Sequence, residues 1–495
     1  MSKKNNPKKR KTNSNIFERL YFTFLVTLPL VYSDELIDPV LLPRQLFLSI
    51  FLITLTVIIY RKIKKNELVV NFNILKVNLF IVFLCFFIVN LISLTWAISF
   101  SESVYVASKY GLSLCFLAVT TLLIYQKKLR IVVLVKSIIL LVSVALLIVI
   151  YQAIKINAVE NKFFENINFV RGTFANKNLL ASTLFLTIPF LIMGMKLSKI
   201  WKYSSIILFI LLIVLVWLLQ TKAVVLAILT SFILLIFLII LINNKKSLFQ
   251  NLLMVVLLIG FLGLLATITI KYKDKFQKLT SSHTAITRLD IWNNSLQMAN
   301  ENWLFGVGAG NWKIHFPKYG LDHFESSLVK NGVKIFQRPH NDFLGVLCET
   351  GVFGLMFYIF IFSIVIFYLA KIVLASKEQS NLTILVLGTI IIGYLIIALA
   401  DFPLERIGSQ IILMLLFSIA TSKYLENKKF KAVKQKGYRT IILLLSLAAF
   451  STYISTSRIK AEFYTKKLKQ YHKNNNYVKI QEVRNKSQNL FYNID

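Results

Sequence analysis

Cysteine, proline, glycine and acid are all scarce in this chain of 495 residues: 3 Cys, 8 Pro and 17 Gly, with 22 acidic residues against 57 basic ones. Cys85, Cys115 and Cys348 each fall inside an apolar run, which excludes a disulfide framework and a CxxC metal site. The shortage of Gly and Pro argues against a barrel of short alternating strands and suits helices. No small-residue cleavage site follows the first apolar stretch, which therefore reads as an anchor and not as a cleavable signal peptide. No period of 20–50 residues repeats, so a solenoid is excluded. The two halves of the chain show no correspondence, which argues against an inverted-repeat transporter.

What the chain has in quantity is apolar residues, 56% of the total with 40 Phe, and a mean hydropathy of +0.67. They gather into runs of about 20, the length that crosses a bilayer. The fold class is therefore an all-α polytopic membrane protein with about 12–13 transmembrane helices. The expected spans are 17–33, 40–60, 74–96, 103–125, 131–152, 179–195, 204–220, 223–242, 248–270, 341–370, 382–400, 407–421 and 440–456. A net charge of +35 would suggest nucleic acid in a soluble protein. Here the basic residues sit in short clusters at alternate gaps, "RKIKK" from Arg61, "QKKLR" from Gln126 and "KLSKIWK" from Lys196 among them. By the positive-inside rule these loops and the N-terminus are cytoplasmic, and no nucleic-acid partner is expected.

That topology divides the chain into a basic cytoplasmic tail over 1–16, transmembrane helices 1–9 over 17–270 and a periplasmic loop over 271–339. Transmembrane helices 10–13 over 340–456 and a periplasmic helical tail over 457–495 complete it. The 271–339 loop is too long to be a mere connection. Within it "TRLDIWNNSLQMANENW" offers Thr287 as a helix cap, with Arg288, Trp292, Ala299 and Trp303 on one face.

"WLFGVGAGNW" contains Gly306-x-Gly308-x-Gly310 but follows a helix, so it is read as a tight turn that brings backbone close to a neighbour and not as a dinucleotide fingerprint. "IHFPKYGLDHFESS" supplies His315, Asp322, His323 and Glu325 without any HExxH or DxD-type spacing, and no metal site is assigned. Three cations lie on the expected outer rim: Arg171 in "RGTFANKNLLA", Lys222 in the turn of "LLQTKAVV", and Arg288. Guanidinium forks and a lysine point charge make a site for a lipid-linked phosphate, while a lone surface cation is more simply a solvated or snorkelling side chain.

"QRPHNDFLGVLCETGVFGL" places His340 after a proline at or just before the first turn of a helix. The positive end of the helix dipole disfavours imidazolium there, and a neutral histidine beside phosphate-binding cations can take a proton from a hydroxyl nucleophile. A capping or interfacial histidine is the bland alternative. Asn341 follows it, and Glu349 lies part-way down the same span, where an ionisable residue is a functional candidate. "DFPLER" adds Asp401 at an outer helix end, able to orient the histidine or a cation.

"RGTFANKNLLA", "TRLDIW…NWLFGVGAGNW", "RPHNDFLGVLCETGVFGL" and "DFPLER" occur in an order that resembles the O-antigen ligase and polymerase superfamily, over about residues 171–425. The resemblance implies a glycosyltransferase of the C-type membrane architecture in the bacterial inner membrane, using an undecaprenyl-diphosphate-linked glycan at the periplasmic face without a metal or other cofactor. It implies His340 as general base, Arg288 as the loop arginine on the diphosphate, and Asp401 as a supporting acid. A second family arginine, in a Ser-Arg-Gly-like turn, falls at Thr221-Lys222-Ala223, so Lys222 stands in its place and shares that role with Arg171. Asn341 and Glu349 complete the supporting set. The leading reading is a ligase that moves the glycan to lipid A-core. The alternatives are a polymerase with a glycan acceptor, a protein O-oligosaccharyltransferase, and, from a different class, a flippase for the same lipid-linked glycan. Ionisable residues concentrated at one face favour an enzyme over a transporter.

Overall fold

The computed structural model describes residues 15–160, 170–174, 176–243, 283–321, 324, 329, 336–375, 382–428 and 437–487. Among these the chain is helical throughout, with no strand, and ten helices are long and apolar enough to cross a membrane. In chain order the first eight helices are α1 (Ile16–Thr27), α2 (Leu41–Lys64), α3 (Asn78–Ile92), α4 (Phe100–Tyr125), α5 (Ile131–Glu160), α6 (Lys177–Gly194), α7 (Lys199–Leu218) and α8 (Lys222–Asn243). Then come α9 (His283–Glu301), the short α10 (Trp312–His315), α11 (Asp342–Ala375), α12 (Leu382–Ala398), α13 (Ile407–Asn427), α14 (Tyr438–Lys473) and α15 (Tyr477–Ser487). Twelve of the expected spans each overlap one of these helices, although α1 with 12 residues and α12 with 17 are not among the ten long and apolar enough to cross a membrane; the span at 248–270 lies outside the described residues.

Polarity decides which helices sit in the middle. α4 and α13 are among the least apolar of the spanning helices, and both are buried almost completely against each other. Their hydroxyls and amides find partners between helices. Ser113 donates to Gln410 Oε1 at 2.9 Å, Gln45 of α2 donates to Ser108 Oγ at 3.0 Å, and Thr183 of α6 meets Ser409 at 2.8 Å. Such groups facing lipid would lose every partner, so they fold inward. α8 is the most apolar of the spanning helices, and it and α7 lie outside, with Ile207, Trp217, Leu229 and Phe232 exposed. α14 packs along α2 and α4, α8 along α12, and α1 along α5.

One expectation is corrected in detail. Thr287 does not cap α9, because that helix already starts at His283. α14 runs unbroken over 36 residues, out of the apolar span and into the charged stretch of the tail. The turn at Thr221 is as tight as read, with Leu218 ending α7, Lys222 opening α8, and Gln220 between them at φ 50°.

Candidate functional site

The glycine turn and the acid inside α11 belong to one structure. Within α11, Gly351 has φ 64° and ψ −166°, so the helix is broken there. A break leaves carbonyls of the upper half without intrahelical donors. The turn supplies them: Val307 N–H donates to Cys348 O at 2.8 Å and Gly308 N–H to Glu349 O at 2.9 Å, while Val352 N–H reaches Trp303 O at 2.8 Å. Gly306 and Gly351 make this contact possible. A Cβ on Gly306 would stand 2.4 Å from the Glu349 carbonyl carbon, and one on Gly351 2.2 Å from Leu304 O.

The far side of the turn is pinned to the α3–α4 junction. Trp96 Nε1 donates to Gly306 O at 3.1 Å, Ser103 Oγ to Ala309 O at 2.7 Å, and Asn311 accepts from Ser99 N–H at 2.7 Å. Above it, Ile291, Met298, Trp312, Phe316 and Leu344 form a second small core that joins α9 to the start of α11. The described part of the 271–339 loop is thus folded onto the helical bundle.

Three ties join "RPHND" to "DFPLE". Arg338 meets Glu405 Oε1 at 2.6 Å, His340 Nδ1 lies 3.6 Å from Asp401 Oδ1, and Leu404 N–H donates to Asp342 Oδ2 at 3.0 Å. The other oxygen of Glu405 is 2.6 Å from the Nζ of Lys109, a fully buried residue of α4. Burial alone pushes the Glu405 carboxyl up. The Arg338 guanidinium, the Lys109 ammonium and hydrogen bonds to both outweigh it and hold that carboxyl below the usual carboxylate range.

His340 itself sits at φ 54°, one of five described non-glycine residues in left-handed backbone. That conformation is uncommon for an L-residue and marks a position the surroundings over-determine. Its ring meets Phe402 edge-on at 4.8 Å between centroids, and its Nδ1 is buried without a hydrogen bond. The side chain is 32% exposed, so the accessible edge is the one carrying Nε2. Asn341 caps α11, accepting from Leu344 N–H at 3.0 Å. The Trp292 indole, one helical turn beyond Arg288 on α9, donates to Pro339 O at 2.9 Å.

The expected residues therefore divide. His340, Asn341, Asp401 and Glu349 converge on the start and break of α11, and Arg288 is half-buried on the helix fastened to Pro339. Lys222 and Arg171 are exposed, and no hydrogen bond, ion pair or ring contact among the described residues ties either to His340. His315 closes α10, where burial and then Lys318 push its pKa down. Asp322, His323 and Glu325 lie outside the described residues, and among the described ones no three His, Cys, Asp or Glu side chains gather to hold a metal.

Sequence reasoning missed the buried ion pairs. Besides Arg338–Glu405–Lys109, Glu102 of α4 binds Lys313 at 3.1 Å and Arg458 of α14 at 2.9 Å, and Arg406 pairs with Asp38 ahead of α2. The available signal was a charged residue inside or at the end of an apolar run, as at Lys109 and Arg458.

Residues 206–359 match the family described as O-antigen ligase. The matched segment holds Lys222, Arg288, His340, Asn341 and Glu349, while Arg171 and Asp401 fall outside it. No curated protein matches the chain.

Proposed function

We propose, from the match of residues 206–359 to the O-antigen ligase family, that the chain transfers a glycan from undecaprenyl diphosphate to an acceptor hydroxyl on lipid A-core, at the periplasmic face of the inner membrane. The acceptor oxygen attacks the anomeric carbon while its proton passes to His340 Nε2. The bond from that carbon to the diphosphate oxygen breaks, with the electron pair leaving on the diphosphate, and the anomeric configuration inverts. Arg288, with Lys222 and Arg171, neutralises the departing charge, where preorganised donors contribute most. Asp401 faces Nδ1 and orients the ring. No metal takes part, because the diphosphate already leaves readily and the cations supply the charge.

The observation that carries this reading is the setting of His340: left-handed backbone, Nδ1 turned to Asp401 and the Nε2 edge accessible. The test is transfer by the purified protein with a lipid-diphosphate glycan and lipid A-core. His340→Ala should lower turnover by about 10²–10⁴, the usual worth of a general base, with donor binding unchanged. Arg288→Ala should instead weaken donor binding, and Arg288→Lys should recover only part of it, since the two-pronged contact is lost. Normal turnover in His340→Ala would leave His340 a structural residue. Transfer lost to chelation and restored by magnesium, calcium or manganese would defeat the metal-free step.

A further inference from the structure

A cavity of about 750 Å³ lies between α2, the charged end of α14 and α15. Leu46, Phe47 and Ile50 of α2 wall one side, and Ile459 and Phe463 of α14 the other. Lys460, Lys486, Ser33 and Glu35 also line it. The volume is that of a small-molecule site and the lining is mainly apolar. Pro43 to Ile50 is seven residue steps along the helix, or about 10 Å at the usual rise. That is about a third of the hydrocarbon thickness, so the cavity lies within one leaflet, at the end of the bundle that bears His340.

Charge at this end is lopsided. Residues 457–487 carry nine lysines and arginines against two glutamates. Lys460 is exposed, and Lys486, paired with Glu482 at 2.6 Å, keeps further N–H donors. Ammonium groups beside an apolar cleft that enters the membrane from its surface match one kind of molecule.

We propose that the cavity binds an anionic phospholipid from the leaflet on the His340 side, its phosphate held by Lys460 and Lys486 and an acyl chain lying along Leu46, Ile50 and Phe463. This lipid is not the glycan carrier. It stays bound and braces the loop over 33–40, which forms part of the cavity wall. That loop is already gripped from α14, because Lys466 donates to Asp34 O and Glu462 accepts from Asp38 N–H at 3.1 Å. Its Asp38 in turn pairs with Arg406, next to the Glu405 that holds Arg338. An occupant of the cavity therefore acts on the histidine segment through two ion pairs.

The experiment is native mass spectrometry of the full chain in detergent, titrated with phosphatidylglycerol and with phosphatidylcholine of the same acyl chains. The wild type should retain one phosphatidylglycerol at least about tenfold more tightly than phosphatidylcholine, the scale of a phosphate held by two cations. Lys460→Glu, an exposed change that leaves the packing alone, should cut that preference to near unity. Leu46→Trp and Ile459→Trp, which fill the cavity from opposite walls, should each abolish retention of both lipids. Retention unaltered in the two tryptophan variants would place the lipid elsewhere and overturn the proposal. So would the absence of any preference in the wild type, or stoichiometric displacement by undecaprenyl phosphate, which would make the cavity a carrier subsite.

Discussion

Glu405 is the residue on which the His340 segment hangs. Its carboxylate bridges Arg338 and Lys109, one ahead of α11 and the other deep in α4. Removing one member of a buried ion pair leaves uncompensated charge and costs about 3–5 kcal/mol. Glu405→Gln should therefore lower the thermal unfolding midpoint in detergent, and adding Lys109→Met should restore part of the loss by removing one stranded cation. A double variant no more stable than Glu405→Gln would mean that Lys109 does not depend on this carboxylate. The pH dependence has a definite sign. A carboxyl whose folded pKa is depressed contributes its full stability above its unfolded value of about 4.3 and loses it progressively as pH falls from there through the lower folded value. Stability from this group should thus be flat from neutral pH down to about 5 and fall below about 4 in the wild type, and the Glu405→Gln variant should lack that acid-dependent component.

At the scale of elements, the break in α11 is what fixes the described part of the 271–339 loop to the bundle. Gly351→Ala would put a Cβ into the Leu304 carbonyl and force a left-handed alanine, which by itself costs about 1–2 kcal/mol. Limited proteolysis in detergent should then cut residues 303–321 faster, while the apolar spans stay protected; equal cleavage in both proteins would show that the turn is held without the break. Spans were legible in the sequence because lipid demands an unbroken apolar run, and so α11 was read as one helix. Its break was not legible, since its partner Leu304 is 47 residues away and a single glycine in an apolar run carries no sign of what it meets. His340 at a helix start could be read from Pro339 and the polar residues around it. The pairing of Arg338 with Glu405 could not, because it depends on which helix ends become neighbours.

For the whole molecule, the two ends of the bundle differ in kind. Tyr60 near the basic end of α2 meets Tyr438 at the start of α14 at 5.7 Å, and Arg130 after α4 binds Glu18 of α1 at 2.6 Å. Lys196 after α6 reaches Thr383 at the start of α12 at 3.3 Å. These contacts join the loop clusters at Arg61, Gln126 and Lys196 to neighbouring helix ends. The opposite end carries His340, Asp401, the glycine turn and Asp38–Arg406. The charged second half of α14 is basic too and belongs to that opposite end, as Glu462 on Asp38 and Arg458 on Glu102 require. Orientation by lysine and arginine is set by short loops near the spans, and longer segments translocate largely regardless of charge. By that rule the short loops count for more, and the expected side for His340 is outside. Cysteine labelling with a membrane-impermeant reagent checks it. Lys318→Cys, on the exposed part of the outer loop, should react in intact cells, whereas Lys428→Cys should react only after permeabilisation. The reverse pattern would place His340 in the cytoplasm, away from any periplasmic acceptor.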